Sequence, residues 1–282
     1  MPILLDFSGT VHAGVHVDIR NNGNTSKLFL RHIILNQIRS IRKRFHKEYG
    51  EPIICMDSKV GYWRRDIFAP YKIKRKEARE ASGINWGEVF TYVNEIAEEI
   101  KDNLPYKVIY VPKAEADDII GTLAIRHPWN TDEKILIVSN DHDFKQLHRI
   151  PNLEQYFPFS STKQTVENPE LFLVEHILKG DPGDGIPNVR SPKDVFLRGG
   201  VRQKPVSRTY IKNYLTQGTV PECDLERFEE NRKLIDLRNT PENIQDSIIN
   251  IWEQKPIGSR FKLFQYLTEN SLKLLTANIN DF

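Results

Sequence analysis

The chain has 282 residues, 39% of them hydrophobic and 28% charged, with a formal net charge of only +2. That is an ordinary globular mix, long enough for one large domain or two modest ones, and it leaves any anionic partner to be argued from where charge sits. Two cysteines exclude a disulfide framework or a Cys-rich zinc site; with no run of about 18 apolar residues and no apolar leader, we expect a soluble, cytoplasmic protein without a membrane partner.

Residues Ile3–Asp6 read as a strand with Asp6 at its carboxyl end, followed by a loop rich in Gly and Asn. Ser26 can cap a helix running to about Tyr49, with Phe29, Ile33, Ile34, Ile38, Ile41 and Phe45 on one face. Its other side carries Arg31, Arg39, Arg42, Lys43, Arg44 and Lys47, expected to be a solvated face. Gly50 stops the helix. Pro52–Met56 is a second strand, with Cys55 as a small core residue, and Asp57 ends it as Asp6 ends the first.

From Arg64 to Arg79 the chain places seven basic residues against two acidic ones, with Tyr62, Trp63, Phe68 and Tyr71 interleaved. Basic groups grip phosphates and aromatic faces stack on bases, as in a single-strand channel. Tyr62, Trp63, Arg64, Arg65 and Lys74 are the candidate contacts; the competing reading is an exposed amphipathic helix. A further helix spans about Glu88–Asn103.

Val108–Val111 and Ile135–Val138 are two short strands, and between them Ala116, Ile119, Ile120, Leu123 and Ala124 recur at helical spacing. A strand–helix–strand unit of this length implies parallel neighbours joined by a right-handed crossover. The helix opens on Glu115, Asp117 and Asp118; the second strand runs into Asp141 and Asp143. Ligand sites of open α/β sheets lie beyond the carboxyl ends of strands, so Asp6, Asp57 and Asp141 should converge there with the helix-start acids. Asp118 alone is equally well read as a helix-dipole partner. The set is different: two carboxylates about 4 Å apart repel by about 4 kcal/mol at an effective dielectric of about 20. Either protons or cations must sit among them, and all-oxygen ligands suit Mg²⁺ or Mn²⁺.

Leu153–Phe157 is a last strand, after which helices are expected, starting at Asn168-Pro169, Ser191-Pro192 and Thr240-Pro241. We therefore divide the chain into an α/β domain over 1–165 and a helical domain over 166–282. Asp181 and Asp184, in a Gly-rich loop, complete eight candidate ligands with Asp6, Asp57, Glu115, Asp117, Asp141 and Asp143. Eight suffice for two hydrated ions that promote in-line phosphodiester attack. The histidines are scattered, and His142 reads as structural. LLDFSGT and GDPGDG also resemble motifs of haloacid-dehalogenase phosphatases, but Ser8 stands where those need a second Asp.

Together the residues resemble the structure-specific 5′ nuclease (flap endonuclease) family, most closely its bacteriophage ribonuclease H branch. The likeness rests on LLDFS around Asp6, MDSKVGYWRRD after Asp57, Tyr71-Lys72 with Arg75, KAEADD at 113–118, ILIVSNDHDFKQLH at 135–148, ILKGDPGD at 177–184 and the terminal LTANINDF. It implies a PIN-like α/β fold: a mostly parallel central sheet between helices, a helical arch, and a helix–hairpin–helix-like DNA-binding module. It implies removal of RNA primers and 5′ flaps in lagging-strand replication, with two Mg²⁺ ions that Mn²⁺ can replace. Asp6, Asp57, Glu115, Asp117 and Asp141 would hold the first ion, and Asp143, Asp181 and Asp184 the second. Lys72 and Arg75 would grip the scissile phosphate. RNA–DNA hybrids and branched or nicked duplex DNA would be substrates of a monomer, and a single-strand-binding protein or sliding clamp its replisome partner. Arg190, Lys193 and Arg198 would hold duplex at the Ser191 helix start, although Asn188–Pro192 replaces the family's glycine hairpin. A non-catalytic nucleic-acid-binding factor on the same fold is the alternative.

Overall fold

The computed structural model describes residues 2–11, 15, 26–126, 133–198 and 200–282. Most of the Gly- and Asn-rich loop after the first strand therefore lies outside the described residues. Six strands form one sheet: β1 (Ile3–Asp6), β2 (Pro52–Met56), β3 (Lys107–Tyr110), β4 (Ile135–Val138), β5 (Leu153–Phe157) and β6 (Thr162–Gln164). Their order is β3-β2-β1-β4-β5-β6. The first five run parallel, and β6 pairs antiparallel with β5. The chain winds outward from β1 to β3, then returns to the other side of β1. That reversal puts the topological switch point between β1 and β4. β6 was not anticipated, because its three polar residues, Thr-Lys-Gln, at a sheet edge carry no apolar alternation.

Alternate residues of each strand face opposite sides. Ile3, Leu5, Ile54, Met56, Leu136 and Val138 pack against α1 (Lys27–Tyr49), α4 (Trp86–Asn103), α10 (Arg260–Glu269) and the buried Phe282. Leu4, Ile53, Cys55, Ile109, Ile135 and Ile137 face α5 (Ala116–Arg126) and α9 (Glu242–Glu253). A third core joins α6 (Pro169–Lys179), α7 (Arg208–Gln217) and α8 (Glu222–Ile235) to Phe68 and Tyr71. The strands stop at Gln164, but residues beyond 165 contribute to all three cores. The short helices α2 (Arg64–Ile67) and α3 (Ile73–Ala81) stand at the carboxyl end of the sheet, and no residue of α3 is buried.

Several local expectations hold. Ser26 caps α1 by accepting from the Phe29 N–H at 3.2 Å, and Gly50, at φ 77°, ends it. Asn168 caps α6 with Pro169 in its first turn. Two do not. The basic side of α1 is not simply solvated: Arg42 is buried and clamps Glu51 through two bonds of 2.6 and 2.7 Å, and Arg31 binds Glu99 of α4. Arg39 and Lys43 meet Asp281, which pins the chain's last turn to α1. The helix expected at Ser191-Pro192 is a run of turns over 192–198. Ser191 Oγ donates to Asn188 Oδ1 and accepts from the Lys204 N–H, so it caps nothing. The second helix of a helix–hairpin–helix module is thus absent from those residues.

Candidate metal centre

Apolar β-strands carry the acids outward and polar turns aim them. Asp6, at the switch point, accepts from the Gly9 N–H at 3.2 Å and from Ser139 Oγ at 2.8 Å. Asp57, one residue past β2, accepts from the Ala116 N–H that opens α5 at 2.8 Å, and from the Ser8 hydroxyl. Beyond β4, Asp141 folds back to accept from the Asp143 N–H at 2.8 Å. Asp181 accepts from the N–H groups of Gly183 and Asp184. Gly180 makes that loop possible: a Cβ on it would lie 2.4 Å from the Ile186 carbonyl. The chain therefore doubles back there, and Asp181 bridges Ile186.

The charges of these acids bear on one another in a linked set: Asp57 and Asp141 on Asp6, Asp141, Glu115 and Asp6 on Asp117, and Asp141, Asp181 and Asp184 on Asp143. Burial first, then the Asp57 carboxylate, push Asp6 up to about 6. Burial and then Asp141 push Asp143 up to about 7 and Asp117 well above the usual range. Burial lifts Asp184 too, against Lys72 and Arg75. Glu115 goes the other way: burial would raise it, but the Lys72 ammonium and Arg64 guanidinium outweigh that and hold it at about 2. Crowded, buried, oxygen-only donors of this kind fit hard divalent cations, which would take the place of the protons.

A pH dependence follows. Protons on Asp6 and Asp143 compete with a cation, so cation binding should weaken as pH falls from about 7.5 through 6. Calorimetric titration in buffers of different ionisation enthalpy should show protons released on binding near neutral pH. No release would mean that these carboxylates do not take part.

Lys72 and Arg75 stand inside the crevice. The Lys72 ammonium pairs with Glu115 and lies 3.4 Å from Asp184, and Arg75 pairs with Asp184. Lys72 occupies the left-handed region at φ 57°, held there by its N–H bond to the Asp184 carbonyl at 2.8 Å. Such strain in a non-glycine residue persists only where its surroundings impose it. The Arg75 N–H bonds back to the Lys72 carbonyl at 3.2 Å, so the two side chains are one turn apart. Tyr71, unassigned from sequence, holds Glu115 and Asp184 together through its hydroxyl, 3.0 Å from each.

Other basic and aromatic candidates divide. Trp63 and Arg64 are buried and cannot meet a nucleic acid. The Trp63 indole donates to Asp118 at 3.0 Å, and Arg64 spans Glu115 at 2.7 Å and Asp118 at 2.9 Å. Asp118, fully buried, also accepts from Thr240 Oγ1 at 3.0 Å and from the Glu115 N–H at 2.8 Å. It is an internal anchor. Arg65 is exposed and lies over the partly exposed Tyr62 ring, while Lys74 is exposed over Phe196. Away from the crevice, Arg190 donates to the Pro205 carbonyl, Lys193 pairs with Glu230 and Glu226, and Arg198 with Asp194. With no helix start at Ser191, the phosphate site expected from Arg190, Lys193 and Arg198 loses its backbone donors. Sequence reasoning also missed His176, in the last turn of α6, whose ring lies between Asp143 and Asp181.

A mostly parallel, doubly wound sheet with acids beyond the carboxyl ends of its strands and in the loop after α6, faced by a lysine and an arginine at a basic helix, defines a metal-dependent 5′ nuclease. The profile of the 5′-3′ exonuclease N-terminal resolvase-like domain matches residues 3–171, and that of the T4 RNase H C-terminal region matches residues 167–282. The chain belongs to the 5′-3′ exonuclease family, in its T4 RNase H branch. It is 32% identical to the ribonuclease H of Enterobacteria phage T4 over 290 residues, covering 99% of this chain and 95% of that protein. It is 31% identical to the flap endonuclease Xni of Shewanella woodyi over 153 residues, covering 50% of this chain and 56% of that one. Among solved structures, the T5 D15 protein co-crystallised with metal ions superposes with a TM-score of 0.63 at 16% identity, over 89% of this chain and 98% of that one. A T5 D15 flap endonuclease complex with DNA and metal ions gives 0.60 at 18% identity, over 90% and 99%. These two share the fold.

Proposed function

We propose that this nuclease removes RNA primers and 5′ DNA flaps by two-metal phosphodiester hydrolysis during lagging-strand replication, acting as a 5′→3′ exonuclease and flap endonuclease with ribonuclease H activity. What supports the reading is the mutual electrostatic influence that links the eight carboxylates, with Lys72 and Arg75 paired to Glu115 and Asp184 among them. Asp6, Asp57, Glu115, Asp117 and Asp141 would hold one Mg²⁺, and Asp143, Asp181 and Asp184 the other, with Mn²⁺ an effective substitute. When bound, the ions supply activation of a water and neutralise charge at the leaving oxygen.

The chain's own residues do the rest. Glu115 and Asp184 hold the buried Lys72 and the half-exposed Arg75 beside the acids. A scissile phosphate entering there meets those two cations, whose charges the acids then share with it. Arg65 of α2, the partly exposed Tyr62 and Lys74 of α3 would carry the strand that leads in. RNA–DNA hybrids and branched or nicked duplexes are the substrates we propose, for a monomer in the host cytoplasm working with a replisome clamp or single-strand-binding protein. No helix among the described residues is long and apolar enough to cross a membrane. We keep the division near residue 165 as a proposal about function, since the sheet ends there and the first six acids all precede it.

Two readings fall away. Phosphatase chemistry has no use for a basic helix, and Ser8 spends its hydroxyl on Asp57. A non-catalytic binding factor would not need eight mutually repelling acids. The test uses 5′-labelled flap, nicked and RNA–DNA substrates with defined cations. Mg²⁺ and Mn²⁺ should support cleavage, and Ca²⁺ binding alone, because it prefers larger and looser coordination. Full activity in EDTA would refute the mechanism.

Lys72 and Arg75 allow a finer test. Replacing both with Ala should lower the single-turnover rate by about 10²–10³, the effect of losing preorganised charge at a developing oxyanion. Affinity in Ca²⁺ should fall much less. An unchanged single-turnover rate with weakened affinity would reduce them to tethers.

A further inference from the structure

His176 sets an imidazole between two of the proposed ligands on the α6 side of the crevice. Its Nδ1 lies 3.5 Å from Asp143 Oδ1, and its Nε2 lies 3.7 Å from Asp181 Oδ2. Nδ1 is buried and makes no hydrogen bond. The ring cannot swing freely, since Phe172, one turn earlier on α6, packs edge-on against it with centroids 5.7 Å apart. One ligand atom from each of Asp143, His176 and Asp181 fits within 4.8 Å of the others. The three line the same open cleft as Asp141, Asp184 and Arg75.

We propose that His176 is a direct ligand of the second divalent ion through Nδ1, so that this site is a mixed nitrogen–oxygen centre that prefers Mn²⁺, Co²⁺ or Zn²⁺ over Mg²⁺. The inference rests on the two-metal reading and adds to it a donor of a different kind. Asp181 Oδ2 faces Nε2 at 3.7 Å, a contact longer than a hydrogen bond that would shorten to one when Nε2 carries the proton. A carboxylate there fixes the tautomer that leaves the Nδ1 lone pair open, the usual arrangement behind a ligating imidazole. Asp143 faces that lone pair. Two donors each about 2.1 Å from one ion stand about 3–3.5 Å apart, the spacing seen between Nδ1 and Asp143 Oδ1. The two atoms are therefore too far apart to bond each other and well placed to share a cation.

Donor chemistry then sets selectivity. Imidazole nitrogen adds affinity for the later first-row ions along the Irving–Williams order and does little for Mg²⁺, which favours carboxylate and water. The first ion, held only by oxygens, has no such bias. A nuclease with one hard and one intermediate site would run best with Mn²⁺, or with Mg²⁺ and a trace of a second metal.

The experiment uses the full chain loaded with Mn²⁺ and read by pulsed electron paramagnetic resonance. One bound Mn²⁺ should show coupling to a ¹⁴N nucleus, and labelling the histidines with ¹⁵N should replace that signal with the ¹⁵N one. His176→Gln should lose the coupling and bind one Mn²⁺ about tenfold more weakly by titration, with Mg²⁺ affinity changed by less than about threefold. His142→Gln, on the exposed neighbouring turn, should change neither. Bound Mn²⁺ with no nitrogen coupling in the unsubstituted protein would overturn the ligand assignment and leave the carboxylate centre standing. Loss of the coupling in His142→Gln instead of His176→Gln would overturn it too. Failure to bind Mn²⁺ at all would overturn both readings.

Discussion

Asp141→Asn should lower the rate of phosphodiester hydrolysis by about 10³-fold or more while leaving DNA affinity within a few-fold of the unsubstituted protein. A thousandfold loss is about 4 kcal/mol of barrier. Asp141 earns this weight by position. It follows β4 at the switch point, and its charge bears on Asp6 and Asp117 on one side and on Asp143 on the other. It therefore flanks both proposed ion sites. The amide keeps the size and one oxygen but loses the charge that holds a cation. Losing that charge also removes a repulsion toward an incoming polyanion, so binding has no reason to collapse. Single-turnover rates in Mg²⁺ and dissociation constants in Ca²⁺ separate the two effects. Near-normal turnover would refute the two-metal assignment.

Which parts of this site were legible in the sequence follows from which parts are local. Asp6 and Asp57 each stand at the end of a short apolar run, and parallel pairing sends all such ends to one edge. The acids could be read because strand direction alone places them. His176 could not be. Asp181 is local to it, but Asp143 arrives because α6 packs against the short 3₁₀ turn Asp143–Arg149, a tertiary event that no spacing announces. The basic aromatic segment failed in a different way. A run of Arg, Trp and Tyr has the same composition whether it lines a nucleic-acid channel or neutralises buried acids, and Trp63 and Arg64 do the second because Asp118 and Glu115 lie beneath them. Arg65 and Lys74, nearby in sequence, remain exposed. The Ser191-Pro192 start misled because a cap signal is only a hydroxyl with a free choice of partner. Here the partners were Asn188 and Lys204, and the side-chain bonds displaced the helix.

Asp118→Ala should do the opposite of Asp141→Asn, although the two residues belong to neighbouring acid clusters. Asp118 is wholly buried, and its two oxygens accept from Trp63, Arg64, Thr240 and the Glu115 backbone. Truncation leaves the Arg64 guanidinium sealed in the interior with Glu115 as its remaining carboxylate partner, and takes the acceptor from the Trp63 indole and the Glu115 N–H, while Thr240 keeps its bond to the Leu237 carbonyl. Breaking one side of a buried ion pair costs about 3–5 kcal/mol. The loss should be present without any divalent cation, because nothing in the network depends on one. Asp141→Asn should not destabilise the cation-free protein, since it removes a charge that repels its neighbours. Urea unfolding in EDTA distinguishes the two: Asp118→Ala should unfold at clearly lower denaturant, and Asp141→Asn at the same concentration as the unsubstituted chain or higher. If Asp118→Ala stayed within about 1 kcal/mol of the unsubstituted protein, the Arg64–Asp118 pair would not be the anchor of α5, and the burial of Trp63 and Arg64 would need another cause.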